Sequence, residues 1–257
     1  MQHRSFRILM ARVKVRRTTE DIRELPSYSI TEAAHYIGIP ASTLKTWFRG
    51  YKGPTGKRYP ALLKPADPKR LLLSFYNLAE AHILDAARRR RVHERKLRIA
   101  VEWANECLPG AHPLLSHEFA TAGQRMFVRK LQGKTIEASR FGQIIDLRLA
   151  PVLKKFLKTI IRGTDNLPIE IHPIKPSPTP PNRTRKKKKT RIYVIESPLA
   201  INPTICSGRP VVRGTDVLAS VLRHRAHAGE PLSDLSRDYG LEISEIQTVV
   251  RYLDHAA

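Results

Sequence analysis

The chain has 257 residues, of which 41% are hydrophobic, and its 46 Lys and Arg outnumber 23 Asp and Glu to give a formal net charge of +23. This length allows two or three domains, and this apolar fraction is sufficient for folded cores, which excludes a chain that is disordered throughout. The excess of positive charge indicates an anionic partner, either nucleic acid or an acidic membrane surface.

The positive charge belongs to one part of the chain. Residues 1–196 hold 40 Lys and Arg against 16 Asp and Glu, a net charge of +24, whereas residues 197–257 hold 6 against 7 and carry −1. A cationic surface binds the phosphate backbone by releasing counterions, and a nearly neutral surface does not. The first part is therefore expected to contact nucleic acid and the second part to contact something else.

Neither a membrane segment nor a secretory leader is predicted. No apolar run approaches the ~20 residues that a membrane span needs, and the start MQHRSFRILM contains only the short apolar run ILM. Cys107 and Cys206 lie far apart and in no metal-ligand spacing, so neither a disulfide framework nor a zinc site is expected. These features predict a cytoplasmic protein without a metal or cofactor.

A basic segment, residues 1–27, precedes the first predicted domain, which covers residues 28–110. Apolar residues recur there at helical spacing from Ile30 onward. Gly38 interrupts this first helix, and Pro40 suits the first turn of a second one. The pattern predicts a helix-turn-helix, and the glycine-rich stretch that follows predicts a wing.

The second helix has the pattern of a recognition helix, which packs through one apolar face and presents polar side chains on the other. Its apolar positions are Ala41, Leu44, Trp47 and Phe48. The residues expected to face DNA are Ser42, Thr43, Lys45, Thr46 and Arg49 in the helix, with Lys52, Lys57 and Arg58 after it to hold phosphate. The alternative is an ordinary helical hairpin within a core, because short patterns of this kind occur by chance.

The rest of this domain is predicted to be mainly helical. The segment around Pro65–Pro68 suggests two short strands, and Asn77 followed by Glu80 is typical of a helix start. Helical character then continues to about Cys107 and is interrupted by the run Arg88–Arg91, which favours two helices or one bent helix. These arginines either belong to a solvated helix with a few ion pairs or contact a polyanion.

Residues 111–172 are predicted to form a small α+β module. Strands are expected in MFVRKL and KTIEAS, and a helix is expected in QIIDLRLAPVLKKF. LKTII and LPIEI flank the turn residues from Gly163 to Asn166, which is a hairpin signal.

Residues 173–191 are predicted to be a linker. Its prolines favour extended polyproline conformation, and its block of Lys and Arg repels itself and stays solvated. The block either tethers DNA without sequence preference or only solvates the linker, and a nuclear localisation signal would look the same. We expect this linker to let the two halves of the chain move independently.

Residues 192–257 are predicted to form a three-helix domain with a second helix-turn-helix. The helices are expected over Val217–Ala228 and Leu232–Tyr239, with a third that carries an apolar i, i+3, i+4, i+7 stripe from Ile246. Only one exposed position of the third helix, Arg251, is cationic. Protein contact is therefore favoured over DNA contact for this domain.

Catalysis has little support in the sequence. His224 and His227 have a spacing that metal ligands use on a helix, but no Cys, Asp or Glu completes a set, so both are expected at the surface. We find no phosphate-binding loop, nucleophile motif or paired carboxylates, and no enzyme is predicted. The expected fold class is mainly α with small β elements (α+β).

The last domain carries a series of short motifs over about 55 residues. They are Asn202-Pro203, Gly208-Arg209-Pro210, Gly214-Thr215, Ala228-Gly229-Glu230, Asp238-Tyr239-Gly240-Leu241 and Arg251-Tyr252. Together they resemble a small bacterial and archaeal domain of the VapB-type antitoxins. The chain departs from the family pattern at Glu242-Ile243, where Thr-Pro often opens the last helix, and at Val217-Leu218, where a proline often follows the Gly-Thr pair. The resemblance implies a partner-binding surface, which is assigned to Arg209, Arg213, Arg223, Tyr239, Gln247 and Arg251.

The segment YSITEAAHYIGIPASTLKTWFRG resembles the winged helix-turn-helix of MerR-type regulators, and the order of the domains resembles that of longer VapB-type antitoxins. The resemblance implies a homodimer that binds operator DNA, represses its own operon and neutralises a PIN-like ribonuclease toxin by direct binding. Two alternatives stay open: a stand-alone transcription regulator without a toxin partner, and an architectural DNA-binding protein.

Overall fold

A computed structural model describes residues 20–89, 93–108, 110–116, 156–174 and 197–254. The side chains of Lys96, Trp103 and Cys107 lie outside this description. The fold is α+β, as predicted: helices dominate, and the strands form three small antiparallel pairs among the described residues.

The helix-turn-helix consists of α1, Ile30–Ile37, and α2, Ala41–Arg49. Ser29 caps α1 in a capping box with Glu32, in which each side chain accepts a backbone N–H of the other residue. Gly38 ends α1 in the left-handed conformation, which a residue with a side chain adopts only at a cost. The predicted helix-turn-helix is therefore present.

The predicted wing is a short antiparallel ribbon of β1, Tyr51–Lys52, and β2, Arg58–Tyr59. The rings of Tyr51 and Tyr59 stack with 4.7 Å between centroids and 9° between planes. After the ribbon the chain returns to the end of α2, where the carbonyl of Trp47 accepts the N–H groups of the next two leucines.

The segment from Pro65 to Ser74 forms a turn with isolated backbone pairs, between Asp67 and Leu72 and between Tyr28 and Leu73, and not the two predicted strands. The helix start predicted at Asn77 is also wrong. Ser74 caps the next helix by accepting the Asn77 N–H, and the Asn77 side chain accepts the Ser74 N–H in return. The sequence therefore predicts the correct kind of capping motif, but the cap residue is Ser74, three residues before the predicted Asn77.

Two helices separated by a break follow, as the arginine run predicted. They are α3, Phe75–Arg89, and α4, Glu94–Cys107, and a 3₁₀ turn at Pro113–Leu115 packs against both. The side chains of α3 from Phe75 to Ala87 are all buried. Helix α3 is therefore the centre of the core, and Asp85 and His82 within it must find polar partners there.

The predicted hairpin is confirmed as β3, Ile160–Arg162, paired antiparallel with β4, Pro168–Ile171. Phe156, just before it, is fully buried in the same core as α1 to α4. The strands predicted in MFVRKL and KTIEAS, nearly all of the helix predicted in QIIDLRLAPVLKKF and the Lys–Arg block of the linker lie outside the described residues. The boundary predicted between residues 28–110 and 111–172 stays a prediction, although one core contains side chains from both.

The last part of the chain has its own core. Strands β5, Leu199–Ala200, and β6, Val211–Val212, pair beside three helices. These are α5, Ala219–His227, α6, Leu232–Tyr239, and α7, Ile243–Asp254. The second and third match the predicted helices, whereas the first begins two residues later than predicted because Leu218 forms a β-bridge with Val211.

The two halves touch one another, so the expected independent movement is wrong. The hydroxyl of Tyr28, before α1, donates to the carbonyl of Gly208, 3.2 Å away. Ile171 of β4 and Ile201 after β5 exchange both backbone hydrogen bonds, at 2.9 and 2.8 Å. Ile201 is buried in the larger core. These contacts hold the last domain against the first.

The contact at Gly208 generates a stability prediction. A Cβ on Gly208 would lie 1.9 Å from the Tyr28 hydroxyl oxygen, and the residue has φ of 74°. We expect Gly208→Ala to lower the free energy of unfolding by about 1–3 kcal/mol more than Gly214→Ala. Gly214 has a similar φ of 82° but open space around it, so it isolates the cost of the backbone conformation.

Urea unfolding of the two variants measures this difference. Adding Tyr28→Phe to Gly208→Ala removes the atom that clashes, so the double variant should recover part of the lost stability. Equal losses for Gly208→Ala and Gly214→Ala would contradict the contact between the halves.

His112 generates a second prediction, on pH. Its Nε2 lies 3.0 Å from Glu24 and its Nδ1 lies 3.1 Å from the buried Glu80. Burial acts to lower the pKa of His112, but the hydrogen bonds and charges of Glu80 and Glu24 outweigh it and raise the pKa to about 9. A pKa raised in the folded state gives stability that is complete below about pH 6.5 and is lost as pH rises through about 9.

We therefore expect wild-type protein to lose on the order of 2 kcal/mol of unfolding free energy between pH 6.5 and 9.5 through this group. His112→Gln should be less stable at pH 6.5 and should lack this part of the pH dependence. Chemical denaturation at both pH values gives the comparison, and parallel losses in the two proteins would show that the ion pairs do not contribute.

Candidate nucleic-acid interface

Helix α2 presents the predicted reading face to solvent. Its apolar side is buried: Leu44, Trp47 and Phe48 are at most 3% exposed. On the other side, the predicted DNA-facing residues fall into two groups. Ser42, Lys45 and Arg49 are exposed, and Thr43 and Thr46 are half-buried. The Thr46 hydroxyl donates its hydrogen to the Ser42 carbonyl, so the lone pairs of the Thr46 oxygen stay free to accept a hydrogen bond.

The three predicted cations after α2 all lie on the wing and are exposed. Lys52 and Arg58 are cross-strand partners in the ribbon. The Lys57 ammonium lies 5.6 Å from the centre of the Tyr59 ring, a cation–π contact that orients it. The wing therefore carries three positive charges on a two-stranded frame beside the recognition helix.

A cleft of about 780 Å³ lies between the start of α1, the exposed side of α2 and the turn at residues 65–71. Ser42, Lys45 and Arg49 line it, whereas the wing residues and the two threonines of α2 do not. Two further cations, Lys69 and Arg70, line it from the opposite side.

These two cations were missed in the sequence, because the residues after Pro68 were interpreted as a short strand. A Lys-Arg pair directly after a Pro-x-x-Pro turn was the available signal. Asp67 organises this turn by accepting the backbone N–H groups of Lys69 and Arg70 and pairing with the Arg70 guanidinium at 2.6 Å. The backbone and side-chain hydrogen bonds from Arg70 lower the pKa of Asp67. No ion pair of the Lys69 side chain occurs among the described residues, so its charge faces the cleft uncompensated.

The start of α2 adds hydrogen-bond donors to the cleft. Pro40 occupies the cap position and no side chain caps this end. The first N–H groups of α2 therefore have no intrahelical or side-chain partner, and Ala41 and Ser42 face the cleft. Uncapped helix N-termini bind phosphate through these N–H groups and the helix dipole.

The arginine run on α3 serves the fold and not this surface. Arg88 and Arg89 both pair with the fully buried Asp85, at 2.6 and 2.5 Å. Arg89 also donates to the carbonyl of Ile174, 2.8 Å away. Arg90 and Arg91 lie outside the described residues. The sequence left open whether these arginines form ion pairs or contact a polyanion, and Arg88 and Arg89 form ion pairs.

The structure gives contacts for some of the six residues assigned to partner binding, and their role stays a prediction. Hydrogen bonds from Ser29 are the main cause of the lowered pKa of Glu32 in α1, and the charge of Arg209 lowers it further. Arg209 therefore lies close to Glu32 and belongs to the contact between the halves. Arg223 pairs with Asp254 at 2.8 Å, and the Arg225 guanidinium lies 5.2 Å from the Tyr239 ring.

Arg213 is exposed and lies in the loop after β6, away from α7 in the chain. Only Gln247 and Arg251, which are four residues apart on α7, share an exposed helical face. These two residues form one continuous exposed surface on α7.

Half of the six arginines in the last domain are engaged in ion pairs within it. Arg223, Arg225 and Arg237 are each in an ion pair with a carboxylate of the same domain. In the part of the chain that the structure describes, no group of three or more His, Cys, Asp and Glu could hold a metal ion. Within the same residues, no helix has both the length and the apolarity to cross a membrane.

Two protein-family models match separate parts of the chain. Residues 26–101 match the family described as "Putative DNA-binding HTH domain", and residues 199–253 match the family described as "Protein of unknown function (DUF433)". The first match contains the whole of the cleft and the wing. The second contains β5 to α7 with all six residues assigned to partner binding.

The chain also resembles proteins of Mycobacterium tuberculosis over most of its length. It is 24% identical over 242 residues to "Putative antitoxin VapB45", and the aligned region covers 87% of this chain and 92% of that protein. It is 25% identical over 234 residues to "Uncharacterized protein Rv2308", which covers 88% and 89%.

The crystal structure of Rv2018 from the same organism matches 88% of this chain and 97% of its own, with a TM-score of 0.59 and 21% identity, which shows a shared fold. Taken together, the helix-turn-helix match and the antitoxin relative fit a DNA-binding antitoxin in general terms.

Proposed function

We propose that the protein is a cytoplasmic DNA-binding antitoxin of a type II toxin–antitoxin system. Its MerR-like winged helix-turn-helix binds operator DNA and represses its own operon, and its last domain neutralises a PIN-like ribonuclease toxin by direct binding. The proposal assigns no catalytic activity and no cofactor to the chain.

The observation that carries the DNA-binding part is the convergence of cations on the cleft. Lys45 and Arg49 approach it from α2, and Lys69 and Arg70 approach it from the opposite turn. The uncapped start of α2 lines the same cleft. Phosphate contacts from Lys69, Arg70 and the start of α2 would supply affinity and fix the register of the protein on the duplex.

The sequence-reading part of the proposal rests on α2. Its first turn and exposed side would enter the major groove, where Lys45 and Arg49 can donate to guanine and the hydroxyls of Ser42 and Thr43 can reach base edges or phosphate. The wing cations Lys52, Lys57 and Arg58 would hold the flanking phosphates. A homodimer would present two such helices to a two-fold symmetric operator.

The toxin-binding part rests on the last domain. Three of its six arginines are paired with its own carboxylates, and its net charge is −1, so the domain offers little positive charge to DNA. The exposed face of α7 that holds Gln247 and Arg251 is the surface we assign to the toxin. Arg is enriched among the residues that dominate protein interfaces.

Two alternatives fit the DNA-binding face equally well. A stand-alone transcription regulator would bind its operator but no toxin, and an architectural protein would bind all sequences with a specificity ratio near one. Affinity for the operator relative to random DNA, and copurification with the product of an adjacent reading frame, separate the three functions.

The first test concerns the reading helix. Replacing both Lys45 and Arg49 with Ala should weaken operator binding by ~1–3 kcal/mol for each lost base contact and weaken binding to random DNA much less. Fluorescence anisotropy with operator and scrambled duplexes, over a series of salt concentrations, gives both affinities.

Two single variants control this test. Lys69→Ala should weaken binding to both duplexes alike and reduce the slope of log K against log salt by about 0.9. Lys158→Ala removes the same charge from an exposed position just before β3 and should change neither quantity. An unchanged preference for the operator in the Lys45 and Arg49 double variant would mean that α2 is not the reader.

The second test concerns the toxin. Arg251→Ala should weaken the complex with a PIN-like ribonuclease at least about tenfold, because it truncates a central residue of the assigned surface. Growth rescue on co-expression and copurification measure the effect, and operator affinity should not change.

Arg237→Ala is the matched control, since Arg237 is exposed on α6 of the same domain. Its complex with the toxin should be as tight as that of wild-type protein. Equal weakening by both variants would remove α7 from the proposal, and the absence of any complex in wild-type protein would favour the stand-alone regulator.

A further inference from the structure

The wing is held by α4, a helix that lies away from the reading helix in the chain. The Arg98 guanidinium donates to the carbonyl of Pro60, at the base of the wing, over 2.8 Å. Its other terminal nitrogen lies 3.2 Å from a carboxylate oxygen of Glu94, one turn earlier on α4. Arg98 is thus fixed at both ends of its guanidinium plane.

Glu94 also lies near the first strand of the wing. Partial burial, and after it the charge of the Glu94 carboxylate, raise the pKa of Tyr51 in β1, so the two side chains lie close together. Tyr51 is stacked on Tyr59 in β2, which directly precedes Pro60. Arg98 therefore contacts the wing base directly through the Pro60 carbonyl, and Glu94 holds the Arg98 guanidinium in place.

The end of α2 also contacts the wing base. A Cβ on Gly50 would lie 2.4 Å from the Tyr59 carbonyl oxygen and 2.9 Å from the Pro60 carbonyl carbon. Only glycine, with φ of 75° here, permits this approach. The backbone at Tyr59 and Pro60 is therefore in contact with both Gly50 and Arg98.

We propose that Glu94 and Arg98 are positioning residues for DNA binding, which set the angle of the wing relative to α2 and so align Lys52, Lys57 and Arg58 with the phosphate backbone. The expected effect on DNA binding rests on the proposed function, whereas the contacts of Glu94 and Arg98 at the wing do not. Arg98 itself does not contact DNA in this proposal. Its side chain is 15% exposed and both its terminal nitrogens are already engaged.

A positioning residue and a phosphate contact differ in their response to salt. Removing a phosphate contact lowers the number of released counterions, and the slope of log K against log salt falls by about 0.9. Removing a residue that only orients the wing lowers the affinity, because the wing is then misaligned with the DNA before binding. The phosphate contacts of the wing still form in the complex, so the slope of log K against log salt does not change. Arg98→Ala is therefore expected to bind the operator about tenfold more weakly with the wild-type slope.

Matched variants complete the experiment on the full chain. Arg95→Ala removes the same charge from an exposed position of α4 and should bind like wild-type protein. Arg98→Lys keeps the charge and one donor and should recover part of the affinity, and Glu94→Gln keeps an acceptor for Arg98 and should bind nearly normally. Lys57→Ala, a direct phosphate contact in the proposed function, should show the reduced slope.

Hydrogen exchange without DNA tests the geometry by itself. The amide of Gly53, which donates to the Lys57 carbonyl across the ribbon, should exchange faster in Arg98→Ala and unchanged in Arg95→Ala. A slope reduced by Arg98→Ala, wild-type affinity in that variant, or unchanged exchange would each overturn the proposal. If wild-type protein bound no DNA, the proposed function would fail, and the exchange result would still decide whether α4 holds the wing.

Discussion

The burial of α3 is the constraint on which the rest of the structure depends. Every side chain from Phe75 to Ala87 is buried, so the helix must be covered on all sides by other elements. The helix-turn-helix covers one side, α4 and the 3₁₀ turn another, and β4 a third. A helix whose side chains are buried on all sides cannot stand alone in water, which makes the segments before and after it parts of one folded unit.

Polar groups within α3 make this assembly specific. Asp85 is fully buried and would carry an uncompensated charge without Arg88 and Arg89. Arg89 extends the network to the carbonyl of Ile174, and His82 shares a hydrogen bond with the Thr159 hydroxyl over 2.9 Å. Removing one partner of a buried ion pair costs about 3–5 kcal/mol, because the other charge is left without compensation. The network therefore ties the region around β3 and β4 to the DNA-binding part of the chain.

Local signals in the sequence were sufficient where the neighbours of a residue lie close in the chain. Gly38 and Gly240 end helices in the left-handed conformation, and Gly163 to Asn166 form the turn of a hairpin, so these elements were predicted correctly. Long-range partners have no such signal. The charge run at Arg88 gave no indication of the Ile174 carbonyl as a partner of Arg89, and nothing near Gly208 indicated a tyrosine 180 residues earlier. The cleft was half predicted for the same reason, since Lys69 faces it only after the chain has turned at Asp67.

The contact between Tyr28 and Gly208 has a consequence for how the two proposed activities are related. Tyr28 directly precedes the capped start of α1, which lines the cleft, and Gly208 belongs to the domain assigned to the toxin. A ligand changes a second site only through a difference in its affinity for two states of the protein. A toxin bound to the far face of α7 in this docked arrangement would leave the cleft as it is, and repression would not depend on the toxin. Coupling between the two activities therefore requires that toxin binding change the contacts between the halves, among them those at Gly208 and between Ile171 and Ile201.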